Sequence, residues 1–175
     1  LLIERLARSL PPLKQSRVCF HRLPTTWSGR QTVTDKLREG LKPNAIIHFG
    51  VDGSRRGINI ETRAVNRATR VKPDADGRHA ESGPLTPHAP AVRFSTLPVK
   101  ALKEAAARSG VNVSLSRDAG TYLCNATLWD SIGSGIPSVF VHVPPLPRGP
   151  RDTRPSAQQI EAAAIQILKE VARRL

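Results

Sequence analysis

The chain has 175 residues, with 27 Lys and Arg against 14 Asp and Glu and a formal net charge of +13. That length buries a sizeable core without a metal or disulfide staple. Two cysteines, Cys19 and Cys124, cannot build a disulfide framework or a four-thiolate zinc site.

Leu1 to Leu10 places apolar residues at helical spacing and predicts a helix ending before Pro11-Pro12. Glu4, Arg5 and Arg8 interrupt its leucines, so it does not read as a signal-peptide core. No apolar run in the chain approaches the roughly 18 residues of a membrane span. Arg17 to Leu23 (R-V-C-F-H-R-L) predicts a short strand stopped by Pro24, with Cys19 a small core residue. Thr32 to Leu41 predicts a helix broken near Gly40, and Ala45 to Phe49 a buried strand ending at Gly50. Ile58 to Asn66 alternates as a second strand. Residues 67–90 hold four prolines and two glycines and predict a long loop, either a lid or a linker. Pro98 to Arg108 predicts a helix ended by Gly110, and Val111 to Leu115 a strand. Ala119 to Asp130 reads as helix and Ser138 to Val143 as a strand closed by Pro144-Pro145. Ser156 and Gln159 form a capping-box pattern before a last helix with the apolar stripe Ile160, Ala164, Ile167, Val171 and Leu175. Helices and strands alternate throughout. The fold class is therefore α/β, three-layered α/β/α around a mostly parallel central sheet, in one domain spanning residues 1–175.

The pI near 11.2 raises the question of nucleic acid. The arginines are scattered from Arg5 to Arg174, and aromatics make up only 4% of the chain, too few for a stacking platform. No specific nucleic-acid partner and no membrane partner are expected.

Three residues stand out chemically. Cys124 opens a predicted helix that follows a strand, where ligands bind in open α/β sheets. There the free N–H groups favour a thiolate and can hold an oxyanion. His142 lies at the end of the apolar strand V-F-V-H-V, and Glu61 puts a charge inside the strand I-N-I-E-T. Each has a plain structural reading: a buried cysteine, a satisfied core histidine, a paired carboxylate. Together they match a nucleophile, a base and its orienter. His21, His48, His79 and His88 lack metal-ligand spacing and read as structural or surface residues, so neither a metal nor a cofactor is expected.

Three segments resemble the type I pyroglutamyl peptidases. The cysteine segment, Val111 to Asn125, carries Ser116, Asp118-Ala119-Gly120, Tyr122-Leu123 and Cys124 on types that the family's pattern permits. The glutamate segment, Gly50 to Asn66, sets a glycine eleven residues before Glu61. The third, F-V-H-V-P-P-L-P from Phe140 to Pro147, is similar to the family's histidine strand. The resemblance implies a cysteine peptidase that removes an N-terminal pyroglutamyl residue, with Cys124, His142 and Glu61 as its triad. It also implies a peptide substrate and a homo-oligomer, and it suggests Arg70 as a substrate contact, one residue away from the expected place, while the low cysteine count makes the reducing cytoplasm the default compartment.

The departures are Asn59, Thr62 and Arg63 in the glutamate segment and a short interval of 18 residues from Cys124 to His142. The family's first strand and its phenylalanine-bearing ring loop are also expected to be missing, because the chain opens directly on Leu1-Leu2-Ile3. These departures keep two alternatives open: a cysteine hydrolase of another N-acyl amide on the same scaffold, and a non-catalytic basic homologue acting as a binding module.

Overall fold

The computed structural model describes residues 1–175. Its central sheet has the order β1-β6-β2-β5, where β1 is Ile46–Val51, β6 Ser138–Val143, β2 Ile58–Glu61 and β5 Val113–Ser116. β1 and β6 run parallel, as do β2 and β5, and the two pairs meet antiparallel at β6·β2. Two of the three ladders are thus parallel, and the sheet divides between the strand that carries His142 and the strand that carries Glu61.

Side-chain alternation along these strands sorts the two faces. Val139, Val141 and Val143 of β6 join Ile58 and Ile60 of β2 in the larger core cluster. Helix α3 (Val99–Ala107) contributes Leu102 and Ala106 to that cluster, and α5 (Ala157–Ala172) contributes Ile160, Ala163, Ile167 and Val171. On the opposite face Phe140 packs with Leu128 and Trp129 of α4 (Leu123–Gly133). Helix α1 (Leu2–Ser9) lies on α5, where Leu6 meets Ala164 and Leu168. Helix α2 (Trp27–Leu41) lies on α4, tied by the Arg30–Asp130 ion pair at 2.5 Å. The result is the expected α/β/α arrangement of layers.

The capping box of α5 forms as the sequence predicts: Ser156 Oγ accepts from Gln159 N–H and Gln159 Oε1 from Ser156 N–H. Several expectations need correction, among them the start of α4, which begins at Leu123 rather than Ala119. Arg17 to Leu23 is no strand. Its alternation holds, with Val18 and Phe20 half-buried, but no neighbouring strand pairs with it. Cys19 therefore points outward and is exposed rather than a core residue. Helix α2 begins five residues early, at Trp27, because Thr26 caps it and the distant Asp74 carboxylate accepts the Trp27 N–H at 2.9 Å. Leu175 lies past the end of α5 and is exposed.

The segment Ile58 to Asn66 divides in two. Thr62 interrupts it by turning its N–H and its hydroxyl onto Ser116 C=O, each at 2.8 Å. After that break, β3 (Arg63–Val65) pairs with β4 (Val92–Phe94) in a separate two-stranded sheet. Residues 67–90 between them are stitched down. Asn66 Nδ2 donates to Thr86 C=O, Ala68 and Gly83 exchange backbone bonds, and the Asp74 carboxylate accepts the N–H groups of Trp27, Asp76 and Arg78.

Candidate active site

Cys124 is the second residue of α4. No side chain caps this helix, so the N–H groups of Leu123, Cys124 and Asn125 are left unpaired at its start. Asn125 anchors the helix from its buried side. Its amide nitrogen donates to Val65 C=O and Arg67 C=O, and its oxygen accepts the Val65 N–H. Thr121, just before the helix, bonds Thr69, and Tyr122 donates to Pro73 C=O. The cysteine turn is thereby held against the start of the 67–90 segment.

The thiol lies over Gly50 of β1, the residue paired with His142 across the β1·β6 ladder. A Cβ at Gly50 would stand 3.4 Å from Cys124 Sγ and only 2.6 Å from the Phe140 ring. Glycine here is a requirement of space, which gives a physical reason for the glycine eleven residues ahead of Glu61. Phe140 itself sits between His48 and His142, with ring centroids 5.8 and 4.8 Å away.

Glu61, at the end of β2, is fully buried on the same face. Its Oε1 accepts the His142 Nδ1–H at 2.8 Å, leaving Nε2 as the free ring nitrogen. Burial pushes His142 down, but the Cys124 thiol and the Glu61 carboxylate outweigh it, and the imidazole is pushed up to about 9. The structure thus brings Cys124, His142 and Glu61 together from a helix start and two strands.

Asp52 and Arg55 add a second layer that the sequence did not signal. Arg55 Nε donates to Asp52 at 2.9 Å and its Nη2 to Asp118 C=O at 2.8 Å, with that nitrogen 3.6 Å from Glu61 Oε1. One guanidinium thus connects the loop after β1, the turn before the cysteine helix and the buried carboxylate. The signal was weak because Arg55 is one of 27 basic residues and lies in a glycine-flanked turn. Arg70, by contrast, is exposed. Its N–H donates to Ser82, and it forms no hydrogen bond or ion pair with Cys124, His142 or Glu61. His48 is buried and bonds Ser131 at 2.8 Å, a structural role.

Residues 4–174 match the family model described as pyroglutamyl peptidase. The chain belongs to the pyroglutamyl peptidase family. It is 33% identical over 184 residues to the pyrrolidone-carboxylate peptidase of Pyrococcus furiosus, covering 97% of this chain and 88% of that protein. To the enzyme of the same name from Thermococcus kodakarensis it is 34% identical over 128 residues, covering 70% of this chain and 62% of the relative. Among solved structures, the pyrrolidone carboxyl peptidase of Pyrococcus furiosus superposes with a TM-score of 0.86 at 31% identity, covering 98% of this chain and 89% of that one. A mutant of that peptidase gives 0.87 at 30% identity, covering 98% and 90%. The family's fold is thus kept with Thr62 and Arg63 in place: one bonds Ser116 C=O and the other Arg117 C=O.

Proposed function

We propose that this chain is a cysteine peptidase that releases an N-terminal pyroglutamyl residue from peptides, acting as one domain with Cys124, His142 and Glu61 as its triad. The observation that supports this reading best is the buried Glu61–His142 hydrogen bond beside a cysteine at an uncapped helix start.

His142 takes the thiol proton as Cys124 Sγ bonds to the pyroglutamyl carbonyl carbon. The carbonyl oxygen gains the electron pair and is held by the unpaired N–H groups at the start of α4. The pair then returns, the C–N bond breaks, and His142 gives its proton to the leaving amine. Water attacks the thioester with His142 again as base, and pyroglutamate leaves as the thiol is restored. Glu61 fixes the ring so that Nε2 faces the sulfur, and it stabilises the imidazolium. Arg70 enters this proposal as a substrate contact only through the resemblance. It lies one residue beyond Thr69, which bonds Thr121 ahead of the cysteine helix. A free thiol nucleophile fits a reducing compartment, the cytoplasm. Self-association is proposed on the resemblance alone.

The test is Cys124→Ala assayed on a pyroglutamyl aryl amide, with circular dichroism as a fold control. The expected result is a folded protein that releases no product above background. Product release by the alanine variant would refute the nucleophile assignment.

A further inference from the structure

A cavity of about 340 Å³ opens where β1 and β6 end, and no hydrophobic side chain lines it. Its walls are Ser54, Arg55 and Arg56 from the β1–β2 link and Arg148, Asp152 and Arg154 from the β6–α5 link. Both links leave the sheet at the catalytic lip. Pro145, also in the wall, lies three residues past His142, and Arg55 reaches to 3.6 Å from Glu61 Oε1.

The charges in this cavity do not balance. Asp152 is taken up by Arg154, whose Nε donates to both carboxylate oxygens at 2.9 and 3.0 Å. Asp52 is taken up by Arg55. Arg56 and Arg148 are exposed, and their guanidinium groups have no carboxylate partner. Two free forks therefore face one polar space beside the triad. A pyroglutamyl ring is a small neutral lactam that calls for apolar walls, so this cavity suits the other side of the scissile bond.

We propose that the arginine cavity is a leaving-peptide subsite that selects substrates carrying carboxylates just after the pyroglutamyl residue. The inference rests on the pyroglutamyl peptidase reading and names its preferred substrate class. Planar guanidinium forks match carboxylates in geometry as well as charge. The chain's net charge of +13 draws the same substrates in from solution.

The experiment compares cleavage of pyroglutamyl-Glu-Glu amide and pyroglutamyl-Gln-Gln amide by the full chain at low and high salt. The acidic peptide is expected to lead in kcat/KM by roughly three- to tenfold at low salt, the range that two exposed ion pairs supply. The lead shrinks with added salt and is carried by KM. In the double variant Arg56→Gln/Arg148→Gln the ratio falls to near one, whereas Lys100→Gln, an exposed cation at the N-terminal end of α3 and outside the cavity wall, keeps it. Equal cleavage of the two peptides by the native chain, or an unchanged ratio in the double variant, overturns the subsite. Failure to cleave either peptide would count against the peptidase reading itself. The cavity is then read by binding, with fluorescence anisotropy of rhodamine-labelled acetyl-Glu-Glu-Glu amide and its Gln counterpart. Tighter binding of the acidic probe to the native chain, lost in the double variant, upholds the arginine cavity as a carboxylate site. The same anisotropy for both probes rejects it.

Discussion

At the scale of single residues, the proposed chemistry rests on the Glu61–His142 pair. The carboxylate is fully buried, and its Oε2 has no hydrogen-bond partner. A buried polar atom left unpaired costs stability, and the Arg55 guanidinium 3.6 Å from the other oxygen offsets part of that cost. Glu61→Gln keeps the shape and removes the charge. Of the two groups that push His142 up to about 9, one is then gone, so its NMR titration midpoint moves down. By analogy with loss of the orienting carboxylate in a serine triad, kcat is expected to fall by roughly 10²- to 10⁴-fold. KM changes little, because Glu61 touches the base and not the substrate. A glutamine variant with native kcat would show that the carboxylate only fills space. The three proposed triad members drew notice in the sequence because each breaks its local pattern: a charge in a strand, an imidazole in an apolar run, a thiol after a turn. Arg55 was not legible, since its importance comes from three partners that the chain brings together only on folding.

At the scale of elements, strands and helices with their own local signals emerged within a few residues of expectation. β6, α3 and α5 did so because periodicity and caps are written in adjacent residues. The misreadings share a different cause. Arg17 to Leu23 alternates as a strand should but lacks a ladder, and the early start of α2 depends on Asp74, 47 residues away. The β1–β6–α4 junction offers a direct test. Gly50→Ala places a methyl 2.6 Å from Phe140, whose ring is confined between His48 and His142 and cannot swing aside. Overpacking of this kind costs about 1–3 kcal/mol, read as a lower midpoint of urea unfolding. The same methyl makes van der Waals contact with Cys124 Sγ at 3.4 Å and covers part of it, so iodoacetamide labelling of Cys124 slows in the folded variant. Native stability together with native labelling would mean that the ring has room to move and that glycine is not demanded there.

At the scale of the whole molecule, two buried histidines on one face of the sheet set opposite limits on the pH range of stability. Burial pushes His48 down to about 4, with Arg38 and Arg30 adding to the shift, whereas His142 is pushed up to about 9. An unfolded histidine titrates near 6.5. For His48 the unfolded chain binds the proton first, so stability is lost as pH falls from about 6.5 toward 4. For His142 the folded chain holds the proton longer. Its contribution is complete below about 6.5 and disappears as pH rises through about 9. The two limbs meet near the unfolded histidine value, where the melting temperature should peak. His48→Gln isolates the acid limb. Its amide replaces the imidazole beside Ser131 without a titrating proton, so the decline between pH 6.5 and 4 flattens by an amount on the order of 1–3 kcal/mol, while the alkaline limb stays. Glu170, held near 2 by Arg173 and Arg174, loses its contribution as pH falls from its ordinary carboxylate range toward 2, so it touches only the acid edge of this window and does so equally in both proteins. Melting curves at half-unit pH steps on the native chain and the variant would decide the matter. Parallel acid limbs in the two proteins would mean that the buried His48 is not what limits the fold in acid.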